Sequence, residues 1–167
     1  MNLHRVFDIT RLLTPLLESA GSPQDPARII NIGSVDGLRV PALETFAYSA
    51  SKAGLHHLSR VLANHLGKRN ITFVSLSLAW TSDLQSMLIR IAIYSSNALA
   101  CGPFQSKMMA ATLESYKEAI ESSIPLGRIG TPQDVAGSCL FLSSRAGSYV
   151  NGATITLDGG SVIASKL

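Results

Sequence analysis

The spacing of apolar residues along this chain changes between helical and strand periods, which predicts an α/β fold. The first helix is predicted over residues 2–19. Its inward face carries Val6, Leu13 and Leu17 at helical spacing. Pro15 lies within this pattern, so we expect it to kink the helix or to end its regular part.

A short apolar, β-branched run at residues 28–34 predicts a buried strand that ends at Gly33 and Ser34. A second helix is predicted after this strand, with Gly67 as its stop. Its apolar positions recur at helical spacing and are Leu55, Leu58, Leu62 and Leu66. Ligands of open α/β sheets bind at the carboxyl ends of the strands, so we expect Ser34 to face a binding site.

Further along, residues 71–73 begin another strand, and residues 108–122 predict a helix. Thr131 is a typical helix cap, and Pro132 suits the first helical position. Asp134 lies in the first turn, where the helix dipole favours a negative charge. This helix is expected to end near residues 143–144 and to turn inward the apolar residues Val135, Cys139 and Leu142. Residues 151–160 predict a closing strand and turn.

Tyr48 and Lys52 are the residues with the clearest chemical potential, because they lie one turn apart on the second helix. An ammonium beside a phenol stabilises the phenolate and pulls the pKa of Tyr48 from about 10 toward neutrality. Tyr48 is then a candidate general acid or base at physiological pH. The alternative is a solvated helix face or the rim of a core.

Composition narrows the class of protein. The chain has 167 residues, 46% of them apolar, which is enough for one domain with a sizeable core. Only 15% are charged, and the net charge of +3 is spread without basic runs, which argues against nucleic-acid binding. Cys101 and Cys139 form neither a disulfide framework nor a CxxC pattern, so a reducing compartment is expected. His56 and His57 predict a packed or solvated pair rather than a metal site, because no carboxylate or cysteine cluster is near.

Ser34 at a strand end, followed by Tyr48-Ser49-Ala50-Ser51-Lys52 at a helix start, resembles the short-chain dehydrogenase/reductase family. The resemblance implies that Ser34 holds the carbonyl oxygen, Tyr48 passes the proton, and Lys52 lowers the pKa of Tyr48 and binds the nicotinamide ribose. Asn2 matches the family position that anchors a proton-relay water, which would complete a tetrad. The alternative for Asn2 is an ordinary helix cap.

The resemblance extends to a cofactor loop and a substrate lid. Gly102, Phe104 and Ser106 match the positions that hold the nicotinamide carboxamide. Cys101 stands where the family usually has Pro, and Ser106 where it usually has Thr. The helix at 108–122 corresponds to the lid over the substrate. Its candidate contacts, which could equally be core residues, are Met108, Met109, Leu113 and Tyr116.

One segment departs from the family pattern. Joining Phe73 directly to Asn97 restores a continuous family strand and loop, so residues 74–96 are predicted to be an insertion. Insertions are tolerated at loop tips rather than in buried strands, so we interpret this one as a retained intron or a gene-model error. Within it, residues 74–80 could form a strand and residues 86–94 a strand or a helix. The segment is too short and too polar for a membrane span.

The implied fold is an incomplete Rossmann-like, doubly wound parallel sheet in one domain over residues 1–167, with family strands five to seven and their flanking helices. The first four strands and the glycine-rich phosphate turn are expected to be absent. The Ser34 strand would then expose an unpaired edge.

The implied function is NAD(P)H-dependent reduction of a carbonyl, with NADP or NAD as cofactor. The relevant stretches look most like 3-oxoacyl-[acyl-carrier-protein] reductases, including the rhamnolipid-pathway kind. A small carbonyl or acyl-thioester substrate, a cytoplasmic location and a homo-oligomer paired through its last strand are expected, with no membrane and no nucleic acid. Two alternatives are a truncated, non-catalytic chain or pseudo-subunit and a hydrolase based on Ser34 and Lys52, although neither residue lies on a nucleophile elbow.

Overall fold

A computed structural model describes residues 3–41, 44–77, 98–101, 103–104 and 110–164. Within these residues the chain forms an α/β structure with a parallel sheet. Its helices are α1 His4–Ala20, α2 Phe46–Leu66, α3 Ala110–Ser122 and α4 Pro132–Ser143. Its strands are β1 Ala27–Gly33, β2 Ile71–Ser77, β3 Ala98–Cys101 and β4 Thr154–Leu157. The expected α/β class is confirmed, and the sheet has four strands where three were predicted.

The sheet is ordered β1-β2-β3-β4, and every pairing in it is parallel. The longest ladder joins β1 to β2, from Ala27 opposite Ile71 to Gly33 opposite Ser77. In the described part of the chain β1 lies at one end of the sheet and pairs with β2 alone. Residues 74–77 belong to β2, which agrees with the strand considered for residues 74–80, whereas residues 86–94 lie outside the described part of the chain.

Strands β2 and β3 share partners on β4. Thr154 is the register partner of Ser75 in β2 and also of Ala98 in β3. Ile155 is likewise the partner of both residue 76 and residue 99. The two segments therefore stand 23 positions apart in the sequence and at the same register against β4.

Alternate residues of β1 face opposite sides of the sheet and anchor two apolar clusters. Ile29 packs on one side with α1, α2 and β2, where the buried residues are Leu17, Ala27, Leu62, Ala63, Ile71 and Phe73. Ile30 and Ile32 pack on the other side against α4, whose inward residues Val135, Cys139 and Leu142 are at most 1% exposed. The inward face predicted for α4 is confirmed. Because both faces of the sheet are covered, its strands carry nearly continuous apolar runs.

Helix α1 differs from its prediction in two respects. It does not end at Pro15 but continues to Ala20. Proline cannot donate the backbone hydrogen bond to the carbonyl of Arg11, and the helix tolerates this because Arg11 is exposed to solvent. Leu13 is 42% exposed rather than inward. The buried residues are Thr10, Thr14 and Leu17, and the Thr14 hydroxyl donates to the Thr10 carbonyl at 2.7 Å.

The cap of α4 is confirmed and is more elaborate than predicted. The Thr131 hydroxyl accepts a hydrogen bond from the Asp134 N–H, and the Asp134 carboxylate accepts one from the Thr131 N–H at 2.8 Å. This reciprocal pair is a capping box. Arg128 donates two hydrogen bonds to the same carboxylate, at 2.8 and 3.1 Å, and the two partners together hold the pKa of Asp134 well below its ordinary value.

We expect Leu142→Ala to lower the free energy of unfolding by about 2–5 kcal/mol, because it leaves a cavity beneath the sheet. Leu140→Ala is the matched control, since Leu140 lies on the same helix but is 65% exposed, and it should change stability by about 0.5 kcal/mol or less. Urea denaturation followed by circular dichroism measures both. Equal losses in the two variants would contradict the assignment of the α4 core face.

Candidate active site

The site is built at the carboxyl end of β1, where Ser34 follows the last strand residue. Ser34 is 2% exposed, and its hydroxyl accepts a hydrogen bond from the Asp36 N–H at 3.2 Å. That contact caps a single 3-10 turn at residues 35–37. The predicted position of Ser34 at the end of a buried strand is confirmed.

Helix α2 brings Tyr48 and Lys52 to the same strand end. The Ser34 and Tyr48 side chains are close enough to interact. The ammonium nitrogen of Lys52 donates to the carbonyl of Ile32 at 2.9 Å and lies 5.6 Å from the centroid of the Tyr48 ring. The three side chains therefore meet at one place, as the sequence pattern requires for a shared site.

Gly37 allows the turn after Ser34 to lie directly against α2. A Cβ at this position would stand 2.7 Å from the Ala53 nitrogen and 2.7 Å from the Lys52 carbonyl carbon. Both atoms belong to the helix backbone and cannot move aside. A side chain at residue 37 would thus push the turn away from the helix that carries Tyr48 and Lys52.

The electrostatic prediction for Tyr48 is wrong for this structure. The pKa of Tyr48 lies above its ordinary value, chiefly because the phenol is largely buried; the hydrogen bond with Ser34 opposes this shift and the negative charge of Asp36 adds to it. Burial also lowers the pKa of Lys52. The cost of burying a charged phenolate outweighs the interaction with Ser34 that favours this form.

Two charged residues of the loop after Ser34 also belong to the surroundings of the site. Burial raises the pKa of Asp36, and the nearby Arg39 partly counters this. The Arg39 guanidinium lies 3.8 Å from the Asp36 carboxylate and donates to the Ser161 hydroxyl at 3.0 Å. It thereby ties the loop to the turn after β4. Neither residue stands in a motif, so pattern reasoning had no signal for them.

His56 is a third residue that sequence reasoning left without a role beyond packing. It is 2% exposed on α2, one turn after Lys52. Its Nε2 lies 3.0 Å from the Ser34 carbonyl oxygen and its Nδ1 lies 3.0 Å from the Ser75 hydroxyl. His57, its neighbour in sequence, is exposed. Of the predicted packed or solvated pair, His56 is therefore packed and His57 is solvated.

Some of the other residues that the sequence predicted to be functional are described by the structure, and the rest are not. Phe104 is 2% exposed and belongs to the apolar cluster beneath α4, where its ring fills the space beside Gly130. Its side chain is thus a core residue. Leu113 is 8% exposed, whereas Tyr116 is 63% exposed. Five other predicted residues lie outside the described part of the chain, namely Asn2, Gly102, Ser106, Met108 and Met109.

The described residues also bear on metal binding and on membrane spanning. Among them, no three His, Cys, Asp or Glu side chains gather in a way that could hold a metal ion. None of the described helices has an apolar stretch of the length that a bilayer requires.

Family models match the chain along almost its whole length. The model described as short chain dehydrogenase matches residues 1–87, and the model described as enoyl-(acyl carrier protein) reductase matches residues 83–162. The chain therefore belongs to the short-chain dehydrogenase/reductase family, a family of oxidoreductases.

Within this family the chain is similar to the rhamnolipids biosynthesis 3-oxoacyl-[acyl-carrier-protein] reductase of Pseudomonas aeruginosa, with 36% identity over 162 residues. It is also 33% identical over 163 residues to the 3-oxoacyl-[acyl-carrier-protein] reductase FabG of Thermotoga maritima. These matches cover 96% and 98% of the chain but only 54% and 55% of the relatives. The chain thus spans about half the length of the curated relatives it matches.

A solved structure shows the same arrangement. The Pseudomonas aeruginosa RhlG/NADP active-site complex superposes with a TM-score of 0.78 at 35% identity. The superposition covers 96% of this chain and 56% of that one. The described sheet and helices are therefore those of part of a short-chain dehydrogenase/reductase.

The balance of effects on Tyr48 predicts opposite shifts in two variants. Asp36→Asn removes a negative charge that favours the neutral phenol, so the pKa of Tyr48 should fall. Ser34→Ala removes a hydrogen bond that favours the phenolate, so the pKa should rise. A pH titration of 13Cζ-labelled tyrosine measures both, with the Tyr48 signal assigned from Tyr48→Phe. Shifts of the same sign in the two variants would contradict this account.

Proposed function

We propose that this chain carries the catalytic part of an NAD(P)H-dependent carbonyl reductase. The single observation that carries the proposal is the approach of Ser34, Tyr48 and Lys52 to one another at the carboxyl end of β1. We infer the reaction class from the family. We infer the substrate class, a 3-oxoacyl thioester, from the relatives. Cytoplasmic location, a homo-oligomer and a role for Asn2 stay predictions.

The chemistry assigned to each side chain follows from its surroundings. The raised pKa keeps Tyr48 protonated at neutral pH, so its hydroxyl can donate a proton to the oxygen of a ketone. The Ser34 hydroxyl, held beside it, can donate a hydrogen bond to the same oxygen and polarise the carbonyl. Lys52 supplies positive charge near the forming alkoxide, where a preorganised cation stabilises the transition state.

The described residues fit the nicotinamide end of the cofactor. Lys52 gives one of its three N–H donors to Ile32, so two can serve ribose hydroxyl groups. When bound, the reduced nicotinamide supplies the hydride. On the basis of the resemblance, Gly102 and Ser106 are proposed to hold its carboxamide. The Phe104 side chain is buried in the core. The printed sequence contains no Thr-Gly-x-x-x-Gly-x-Gly turn to hold the pyrophosphate.

Because this stretch of sequence carries no such turn, a second candidate is a chain that does not act on its own. The chain would then be a non-catalytic pseudo-subunit that pairs with a full-length relative. It would present the Ser34 and Tyr48 pair but would bind nicotinamide cofactor only weakly. The two candidates differ in cofactor affinity, which can be measured directly.

Titration of the purified chain with NADPH, followed by nicotinamide fluorescence, separates the two candidates. Saturable micromolar binding, and NADPH consumption with acetoacetyl-CoA, are expected for the reductase. Tyr48→Phe should then lower kcat by about 10²–10⁴-fold, the contribution of general acid catalysis. Tyr149→Phe is the control, since Tyr149 is fully exposed and lies outside the candidate site, and it should leave kcat unchanged. A chain that neither binds NADPH nor consumes it is the pseudo-subunit.

We also propose that residues 74–96 are an insertion, from a retained intron or a gene-model error. Removing them would place residue 97 at position 74, and hence Ala98 and Leu99 at positions 75 and 76. Those are the pairs that share Thr154 and Ile155 as register partners. The matches to the two family models also meet inside this segment, at residues 83–87.

The chain that lacks residues 74–96 should unfold at a higher temperature than the unmodified chain, because one continuous strand then pairs with Thr154 and Ile155 in place of two segments. Differential scanning calorimetry of both proteins measures the difference. Sequencing the transcript is the independent check: a spliced message that still encodes Trp80, or a deletion that destabilises the protein, would rule out the insertion.

A further inference from the structure

His56 forms a bridge between the turn that carries Ser34 and the neighbouring strand. The Ser34 carbonyl oxygen accepts two hydrogen bonds, one from the Gly37 N–H at 3.0 Å and one from His56 at 3.0 Å. The first bond lies within the turn. The second ties the turn to α2, the helix that carries Tyr48.

The chemistry of the partners determines which tautomer of His56 is present. A carbonyl oxygen can only accept, so Nε2 must carry the hydrogen that faces Ser34. In the neutral ring Nδ1 is then an acceptor, and the Ser75 hydroxyl donates to it. Burial lowers the pKa of His56, as do the positive charges of Lys52 and Arg60 on the same helix, although the bond with the Ser34 carbonyl opposes them. The ring is therefore neutral at physiological pH.

Ser34 follows the last residue of the β1 ladder, whose final pair with β2 is Gly33 opposite Ser77. Ser34 is buried, and the Gly37 N–H gives its carbonyl one partner from within the turn. The imidazole adds a second partner from the side of α2, so the position of the carbonyl relative to the helix depends on His56.

We infer that His56 is a positioning residue: through the Ser34 carbonyl it holds the Ser34 hydroxyl against Tyr48. This inference rests on the proposed function for its catalytic meaning, but its structural content does not need a cofactor. A reacting group displaced by about 1 Å can lose on the order of 10²-fold in rate. His56 would thus affect the reaction although it touches neither substrate nor cofactor.

The readout is the titration of Tyr48 in the chain without ligand. Loss of the Ser34 hydrogen bond raises the pKa of Tyr48, so His56→Leu should shift it in the same direction as Ser34→Ala. The double variant should shift it no further than Ser34→Ala alone. His56→Gln should restore the wild-type titration, because a Gln amide N–H can stand in for Nε2–H.

Two controls isolate the bond to Ser34. His57→Leu changes an exposed histidine on the same helix and should leave the Tyr48 titration unchanged. Ser75→Ala removes the partner of Nδ1 while the donor to Ser34 remains, so it should also have little effect. A shift with Ser75→Ala that equals the shift with His56→Leu would overturn the proposal in favour of general packing.

A second measurement does not depend on whether His56→Leu folds. In the 15N NMR spectrum of the unmodified chain, Nε2 of His56 should carry the hydrogen at neutral pH, and Nδ1 should not. The reverse tautomer, or an unchanged Tyr48 titration in a folded His56→Leu variant, would overturn the inference. Both readouts are made without NADPH, so a failure of the reductase proposal would leave them interpretable. If the chain reduces acetoacetyl-CoA, His56→Leu should lower kcat with little change in KM.

Discussion

The hydrogen bonds of the Ser34 carbonyl are the interaction on which the candidate site depends. Ser34 is buried one residue past the last pair of the β1 ladder. Gly37 and His56 provide the two donors that such a buried oxygen requires. Since His56 and Tyr48 belong to the same helix, one set of contacts satisfies the carbonyl and aligns two hydroxyl groups. Gly37 also permits the close approach of turn and helix on which the bond from His56 depends.

Burial, more than any single charge, determines how the site can ionise. It raises the pKa of Tyr48 and lowers the pKa of Lys52, so in the chain alone both groups are shifted toward their neutral forms. A tyrosine that stays protonated suits the donation of a proton to a carbonyl, the direction in which a reductase works. The hydrogen bond with Ser34 is the favourable interaction that works against burial, which makes the position of Ser34 decisive for the acidity of Tyr48.

The sheet has a different constraint, because a strand in its interior needs a neighbour on each side. β4 pairs with both β2 and β3, and it does so through the same two residues, Thr154 and Ile155. In a parallel ladder the hydrogen-bonding groups of one residue point to one side, so two segments at the same register compete for them. The 23-residue offset between the segments equals the length of the stretch that we propose to be an insertion.

Sequence alone determined the class of the chain and most of its elements. Local signals were sufficient for the strand before Ser34, the helical spacing of Tyr48 and Lys52, and the capped helix at Thr131, because each depends on neighbours within a few residues. Tertiary structure decided what those signals cannot carry. The inward face of α1, the core position of Phe104 and the partners of His56 depend on distant segments, and the direction of the Tyr48 pKa depends on burial. Burial is a property of the whole packed molecule, so no pattern along the chain contains it.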